Sequence, residues 1–357
     1  MTRRDLLLGA MVMAGAGGTG AVIADVVSRR SPTPPAEKLP SPLRDLLPGS
    51  YTQVMAVDRA GQGHSSAMDA VRQLHRVVTT ASTGTVRAWL ALGSTVFPDN
   101  LPRPLGLQQM PAFPGDVLEP EGSHGDALVQ VTGDSAAVVL DAVEKIAMEA
   151  TAWRTRWQID GFRPKNRIDN HKSLTQNPFH FAEGFGNPTS DSDIADRAII
   201  RPSPGQPPWA TGGSYQVVRI VRLATELWDR DSIAEQEHVI GRRRDGRWLD
   251  GTPAQGEPDF ASDPQGRVTP LDSHVRLVAP DRHSPPPLVR RSYSYNRGSE
   301  DTGLIFSCFQ RDLKAGFEAA QRRLEGEAMA KYILTKGGGY FFVPPVGEEW
   351  IAAAFGG

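Results

Sequence analysis

An α+β fold made of one β-α-β-β-α-β unit written twice is what this chain predicts. Three observations lead there. Short β-branched or alternating runs are separated by stretches of helical period, and their order is the same in both halves of the chain. Each half also carries one long insertion, roughly Phe97 to Gly125 and Arg243 to Leu271, too long for a simple connection and placed where such a fold carries a ligand site.

The elements follow in order. Tyr51 to Val57 predicts a strand, and Met68, Val71, Leu74 and Val78 mark the inner stripe of a helix. Val86 to Leu92 and Ala127 to Val131 are the next strands. Asp134 is placed to cap a helix whose inner face carries Val138, Val139, Ala142, Val143 and Ile146, and Arg156 to Phe162 closes the unit. In the second half Tyr215 to Val221 is strand-like, and Ser232-Ile-Ala-Glu235 is a capping box opening a helix to about Ile240. Val289 to Tyr295 alternates weakly, and Leu304 to Phe309 reads as a buried strand. Leu313, Phe317, Ala320 and Leu324 form a helical stripe, and Tyr340 to Val343 closes the second unit. Two such units predict two ferredoxin-like halves, each an antiparallel sheet covered by helices on one face. The expected organisation is a signal and linker over 1–48, one domain over 49–200 and a second over 201–357.

Composition narrows the chemistry. Of 357 residues, 39% are hydrophobic, enough for a substantial core. Lys plus Arg is 39 against 41 Asp plus Glu, a net charge of −2, which argues against a nucleic-acid binder. The lone Cys308 excludes intramolecular disulfides, CxxC redox chemistry, Cys-rich zinc sites, cysteine-ligated iron–sulfur clusters and CxxCH haem attachment.

Arg3-Arg4 precedes a weakly apolar run to about Val27, which predicts a twin-arginine export signal rather than a membrane anchor, and hence a periplasmic or extracellular protein. Gly15, Gly17 and Gly20 match GxGxxG, but no strand precedes them, so a dinucleotide site is not expected there. Ser31 to Pro48 is Pro-rich and reads as a linker.

HExxH, GxSxG and Walker motifs are absent, and the eight His show no metal-ligand spacing. Four local clusters remain. In Phe181-Ala-Glu183-Gly184-Phe185-Gly186-Asn187-Pro188, a carboxylate sits beside glycines that let backbone approach a flat ligand; the plain alternative is a turn with a solvated Glu. In Asp272-Ser-His274-Val-Arg276, an imidazole lies in a short apolar stretch, either a core residue or a proximal haem ligand. Arg290-Arg291 on a strand would point to opposite faces, one toward a pocket and one toward solvent. Arg242-Arg243-Arg244 is either a helix C-terminal charge run or a binder of cofactor propionates.

Taken together these clusters resemble the dye-decolourising peroxidase family. The resemblance extends through Pro111-Ala-Phe-Pro-Gly-Asp116, Gly213-Ser-Tyr-Gln-Val-Val218, Trp228-Asp-Arg230, Glu235-Gln-Glu237 and Ile240-Gly-Arg242. It continues in Ser273-His-Val-Arg276, Gly303-Leu-Ile-Phe-Ser-Cys-Phe-Gln310 and Gly337-Gly-Gly-Tyr-Phe-Phe342, spanning nearly all of the chain beyond residue 50. The export signal is similar to that of the secreted bacterial branch, which includes proteins called deferrochelatases.

The resemblance implies one non-covalent haem b per chain, held in the C-terminal half, with His274 as axial iron ligand. It implies Glu183 as distal acid–base group, Arg290 as distal arginine and Arg242 as a propionate contact. Gly184, Phe185, Gly186, Ala279, Pro280 and Asp281 would line the haem, and Asp301 would accept from the proximal imidazole. The expected partners are hydrogen peroxide and a small aromatic reductant, with no nucleic acid, no stable membrane insertion after export and a homo-oligomer as one option. Iron release from haem, or haem binding without turnover, are the alternatives. Electrons would enter through a Tyr or Trp, with Trp153, Trp157, Trp209, Trp228, Trp248, Trp350 and Tyr293 all open. The chain departs from the family pattern where Glu183 stands for Asp, Phe185 for Thr, and Phe179-His180-Phe181 lacks the usual glycine.

Overall fold

Strands β1 (Tyr51–Arg59), β2 (Arg87–Leu92), β3 (Ala127–Gly133) and β4 (Trp153–Phe162) form the first half, with helices α1 (Ala67–Ala81) and α2 (Ala136–Glu149) in the two crossovers. These belong to a computed structural model describing residues 49–61, 66–163, 165–169, 172–188, 190–279 and 286–357. The foreseen export signal and linker over 1–48, together with Pro280 and Asp281, lie outside the described residues. A hairpin, β5 (Lys165–Asp169) and β6 (Lys172–Thr175), and helix α3 (Asp191–Ala198) lead to the second half. There β7 (Ser214–Leu223) is followed by α4 (Thr225–Trp228), α5 (Ile233–Ile240) and α6 (His274–Val278). Strands β8 (Val289–Arg290), β9 (Tyr293–Asn296) and β10 (Thr302–Gln310) come next, then a π-helical turn at Lys314–Glu318 running into α7 (Ala319–Arg323). Strand β11 (Ile333–Val343) and helix α8 (Glu349–Phe355) complete the chain.

Both halves have the ferredoxin-like strand order, β4-β1-β3-β2 in the first and β11-β7-β10-β9 in the second, antiparallel throughout. The two sheets then join. Leu92 pairs with Phe342, and Phe162 pairs with Ser294, so the strands close into a ring whose two seams are one residue pair wide. One face of every strand in the ring feeds a single buried cluster, with Val54, Ala91, Leu128 and Ile159 from the first half and Val218, Tyr293, Ile305 and Phe341 from the second. The opposite face carries the helices: Val71, Leu74 and Val78 of α1, Val139, Val143 and Ile146 of α2, and Phe317 and Ala320 around α7. This is the stripe the helical period foresaw.

Inside the ring a polar chain crosses from one half to the other. Gln216 Nε2 donates to Gln130 Oε1 at 2.9 Å and to Ser307 Oγ at 3.1 Å, while Trp89 Nε1 donates to Gln216 Oε1 at 3.1 Å. Such a network is favourable only when complete, because each orphaned group costs more than the bond it lost. Gln216→Ala should therefore destabilise the fold by about 2–4 kcal/mol, read as a lower urea midpoint at unchanged m-value.

Two local expectations are corrected. The cap of α2 is Ser135, whose hydroxyl accepts from Val138 N–H; Asp134 lies one residue too early, and its exposed side chain makes no cap bond. The run Val289 to Tyr295 is not one strand: it breaks at Arg291–Ser292 into β8 and β9, each of which pairs with β10. No helix among the described residues is long and apolar enough to cross a membrane.

Candidate functional site

His274 is the first residue of α6. Ser273 ahead of it is extended and turns its hydroxyl to Pro270 O at 2.7 Å. Arg276, two residues along, ties the helix to the insertion that precedes it, donating to Asp263 Oδ2 at 3.0 Å and Thr269 O at 2.6 Å and lying 4.9 Å from the Phe260 ring. The insertion predicted as ligand-bearing therefore folds onto the helix that presents the imidazole. His274 Nδ1 lies 2.6 Å from Glu327 Oε2, and that carboxylate is buried. With Nδ1–H donated to Glu327, the lone pair is left on Nε2, the arrangement a metal-binding imidazole requires.

This overturns Asp301 as the proximal partner. Asp301 instead accepts from Tyr295 O–H at 2.9 Å at the far end of β10. Glu327 follows Gly326, which takes a left-handed φ of 75°, in the turn between α7 and β11. Nothing in its local sequence marks it, since it meets His274 only through a separation of 53 residues.

The loop of Glu183 is built around Asn177 and Asn187. Asn177 Oδ1 accepts from both Phe179 N and Phe181 N at 3.0 Å. His180 between them sits at φ 68°, a conformation that favours the glycine expected there. Asn187 pairs with the backbone of Arg290 in both directions, Oδ1 accepting from Arg290 N at 2.8 Å and Nδ2 donating to Arg290 O at 3.2 Å. Arg290 Nη2 in turn donates to Phe185 O. A Cβ at Gly186 would stand 3.3 Å from that guanidinium, whereas one at Gly184, next to Glu183 in the chain, would meet nothing within 4 Å.

Burial pushes the Glu183 carboxyl above the ordinary carboxylate range, and the guanidinium groups of Arg163 and Arg290 pull it back. Arg163, at the end of β4 with its Cζ 5.8 Å from the Tyr293 ring, was not foreseen from sequence. Arg291 does not turn to solvent: it is half-buried like Arg290, and burial together with Arg163 lowers its pKa.

Arg242 is buried rather than part of a solvated run. Its guanidinium stacks 3.8 Å from the Trp248 ring and 5.1 Å from Phe185, and it donates to Gly246 O at 3.2 Å. Phe185 thus fills the space over Gly246, where an added Cβ would come within 2.2 Å of the ring. Gly246 has φ 92°, so Gly246→Ala is expected to destabilise by roughly 1–3 kcal/mol, with Phe185→Ala recovering the steric part; thermal unfolding of the single and double variants checks this.

The pieces are contiguous. Gly241, before Arg242, packs on Ser273 and Val275 around His274; Arg242 lies over Phe185; and Phe185 O holds Arg290. Ala279 is buried at the end of α6. Trp153, Trp157, Trp228, Trp248, Trp350 and Tyr293 are all buried, and Trp209 is half-buried.

Family models described as "Dyp-type peroxidase, N-terminal" and "Dyp-type peroxidase, C-terminal" match residues 51–163 and 175–348. Curated relatives named deferrochelatase include one from Yersinia pseudotuberculosis, 35% identical over 71% of this chain, and one from Escherichia coli, 35% identical over 72%. The chain spans 66% and 64% of the length of these two relatives. Among solved structures, a DyP-type peroxidase from Streptomyces coelicolor is 30% identical with a TM-score of 0.77, covering 88% of this chain and 94% of that one. Ferric DtpA from Streptomyces lividans is also 30% identical, with a TM-score of 0.74 and coverages of 84% and 90%. With both family models matched in order and a full-length structural relative at that identity, the chain belongs to the Dyp-type peroxidase family.

Proposed function

We propose that the protein is a haem-dependent peroxidase that uses hydrogen peroxide to oxidise phenolic or dye-like compounds. The observation that carries the reading is a contiguous set holding two complementary pairs: an imidazole backed by a buried carboxylate, His274–Glu327, and a half-buried carboxyl under the influence of a guanidinium, Glu183 with Arg290. The donor set fits haem b. His274 offers a single nitrogen lone pair, Arg242 offers a buried guanidinium to a propionate, and the open space at Gly184 leaves room for a flat ring.

Bound there, haem would supply the redox-active iron for peroxide-dependent oxidation of an aromatic reductant. The chain's own groups do the rest. Glu327 holds the His274 ring in one orientation and makes it more electron-donating. Glu183 in its ionised form takes the proton from the inner peroxide oxygen and delivers it to the outer one. Arg290, fixed by Asn187 and Phe185 O, stabilises the negative charge that develops as the O–O bond breaks. Glu183 reaches one methylene further than the Asp of the family pattern, and the Phe185 ring lies against Arg242 and Gly246.

Iron release from haem with the porphyrin left intact is the second reading, favoured by the curated relatives named deferrochelatase. The twin-arginine segment supports a periplasmic or extracellular location for either activity. The test is a visible spectrum before and after one equivalent of hydrogen peroxide, followed by a phenol, with product analysis for free protoporphyrin. A haem band that changes with peroxide and returns with phenol supports the peroxidase. Accumulating protoporphyrin supports iron release. No haem band after reconstitution overturns both.

A further inference from the structure

We propose that the first half of the chain carries a second binding site, a cleft of about 300 Å³ at the ends of β1 and β4 that takes a small polar oxyanion, a carboxylate or a phosphate. Arg154, Thr155 and Arg156 are the exposed run of β4 between the buried Trp153 and Trp157. The β1–β4 register slips between Ala56 and Val57, which face Trp157 and Thr155, so Arg156 is the extra residue of a β4 bulge and lines the cleft together with Arg154, Asp58 and Arg59.

Both carboxylates of the cleft are already engaged. Asp58 holds Arg156 Nη1 at 3.1 Å and accepts from Asp126 N at 3.3 Å. Asp126 accepts from Thr95 Oγ1 at 2.6 Å and from Arg59 N at 2.9 Å. Arg156 is locked further by bonds to Ser123 O at 2.8 Å and Pro120 O at 2.9 Å. The guanidinium groups of Arg59 and Arg154 have no partner among the described residues. Three arginines against two aspartates leave 3 − 2 = +1 within one cleft, a charge that attracts an anion and holds it by charge-assisted hydrogen bonds.

The wall opposite is also built. His124 is held at φ 60°, its N–H bonded to Gly338 O at 2.7 Å and its carbonyl accepting from Trp157 Nε1 at 2.8 Å. A bulky residue kept in that conformation by its neighbours is a mark of function. Burial and then Arg156 lower the His124 pKa, so the ring lines the cleft as a neutral imidazole. Its Nδ1 is buried without a hydrogen-bond partner. Every side chain lining the cleft is polar or charged, which excludes an aromatic or lipid ligand. The volume equals about ten waters at ~30 Å³ each, suited to an ion of phosphate to citrate size. No lining residue belongs to the haem-site set.

Isothermal titration of the haem-loaded full chain with inorganic phosphate, and separately with citrate, at low ionic strength tests the site. One-to-one saturable binding of either anion is expected, and which one binds tells carboxylate from phosphate. Arg154→Gln and Arg59→Gln should each weaken it about tenfold or more with unfolding temperature unchanged, whereas Glu183→Gln should leave it intact. Absence of saturable binding by both anions at millimolar concentration, equal affinity in the double arginine variant, or loss in Glu183→Gln overturns the proposal.

Discussion

Replacing Glu183 by glutamine is expected to slow peroxide turnover by about 10²–10⁴-fold while haem remains bound, the usual contribution of a positioned acid–base group. The amide keeps the side-chain shape but cannot carry the proton from one peroxide oxygen to the other. The pH profile gives the finer check. Burial raises the folded-state pKa of Glu183, and only the ionised form acts as base, so turnover should fall as pH drops through a value above the ordinary ~4.3 of glutamate. Arg163 and Arg290 oppose that rise, so Arg163→Gln should move the acid limb further up. Stability has the corresponding sign. A raised folded pKa contributes stability that is complete below the unfolded value and lost as pH rises through the folded one. Glu183→Gln, which cannot ionise, should therefore gain on the parent at neutral pH, in urea midpoints compared at pH 4 and pH 7. An acid limb unmoved in both variants would remove Glu183 from the role of base.

His274→Ala should abolish stable haem retention, and Glu327→Gln should weaken it or slow turnover by about 10–100-fold, the range found when the partner of a metal-binding imidazole is removed. Glutamine still accepts from Nδ1–H but lacks the charge that makes the ring a stronger donor. Reconstitution with haem, gel filtration and a visible spectrum separate these outcomes. Full haem occupancy with an unchanged spectrum in His274→Ala would assign the iron ligand elsewhere.

Much of the fold was legible because its signals are local. The stripe Val71, Leu74 and Val78, the capping box at Ser232, and the strands around Val54, Val129 and Val217 each declare themselves within a few residues. The short α3 and α4 and the hairpin β5–β6 carry no comparable period, and they were missed. Within the site, Glu183, Arg290 and His274 were found through motif resemblance, and the structure links their loops through Gly241, Arg242 and Phe185. Glu327 and Arg163 could not be found that way. Each acts across a long sequence separation, and its neighbours carry no pattern. Asp301 stands just before β10, a place that says nothing of which carboxylate meets the imidazole across the fold.

The ring of strands has a consequence for the chain's ancestry and handling. Each half alone is an open sheet with two bare edges, β2 and β4 in one and β9 and β11 in the other, and bare edges recruit foreign strands. Here each copy of the unit shields the other at Leu92–Phe342 and Phe162–Ser294. A chain cut between the halves would expose both pairs of edges and the glutamine-lined interior together. Two repeats are thus the smallest number that leaves this unit safe from self-association.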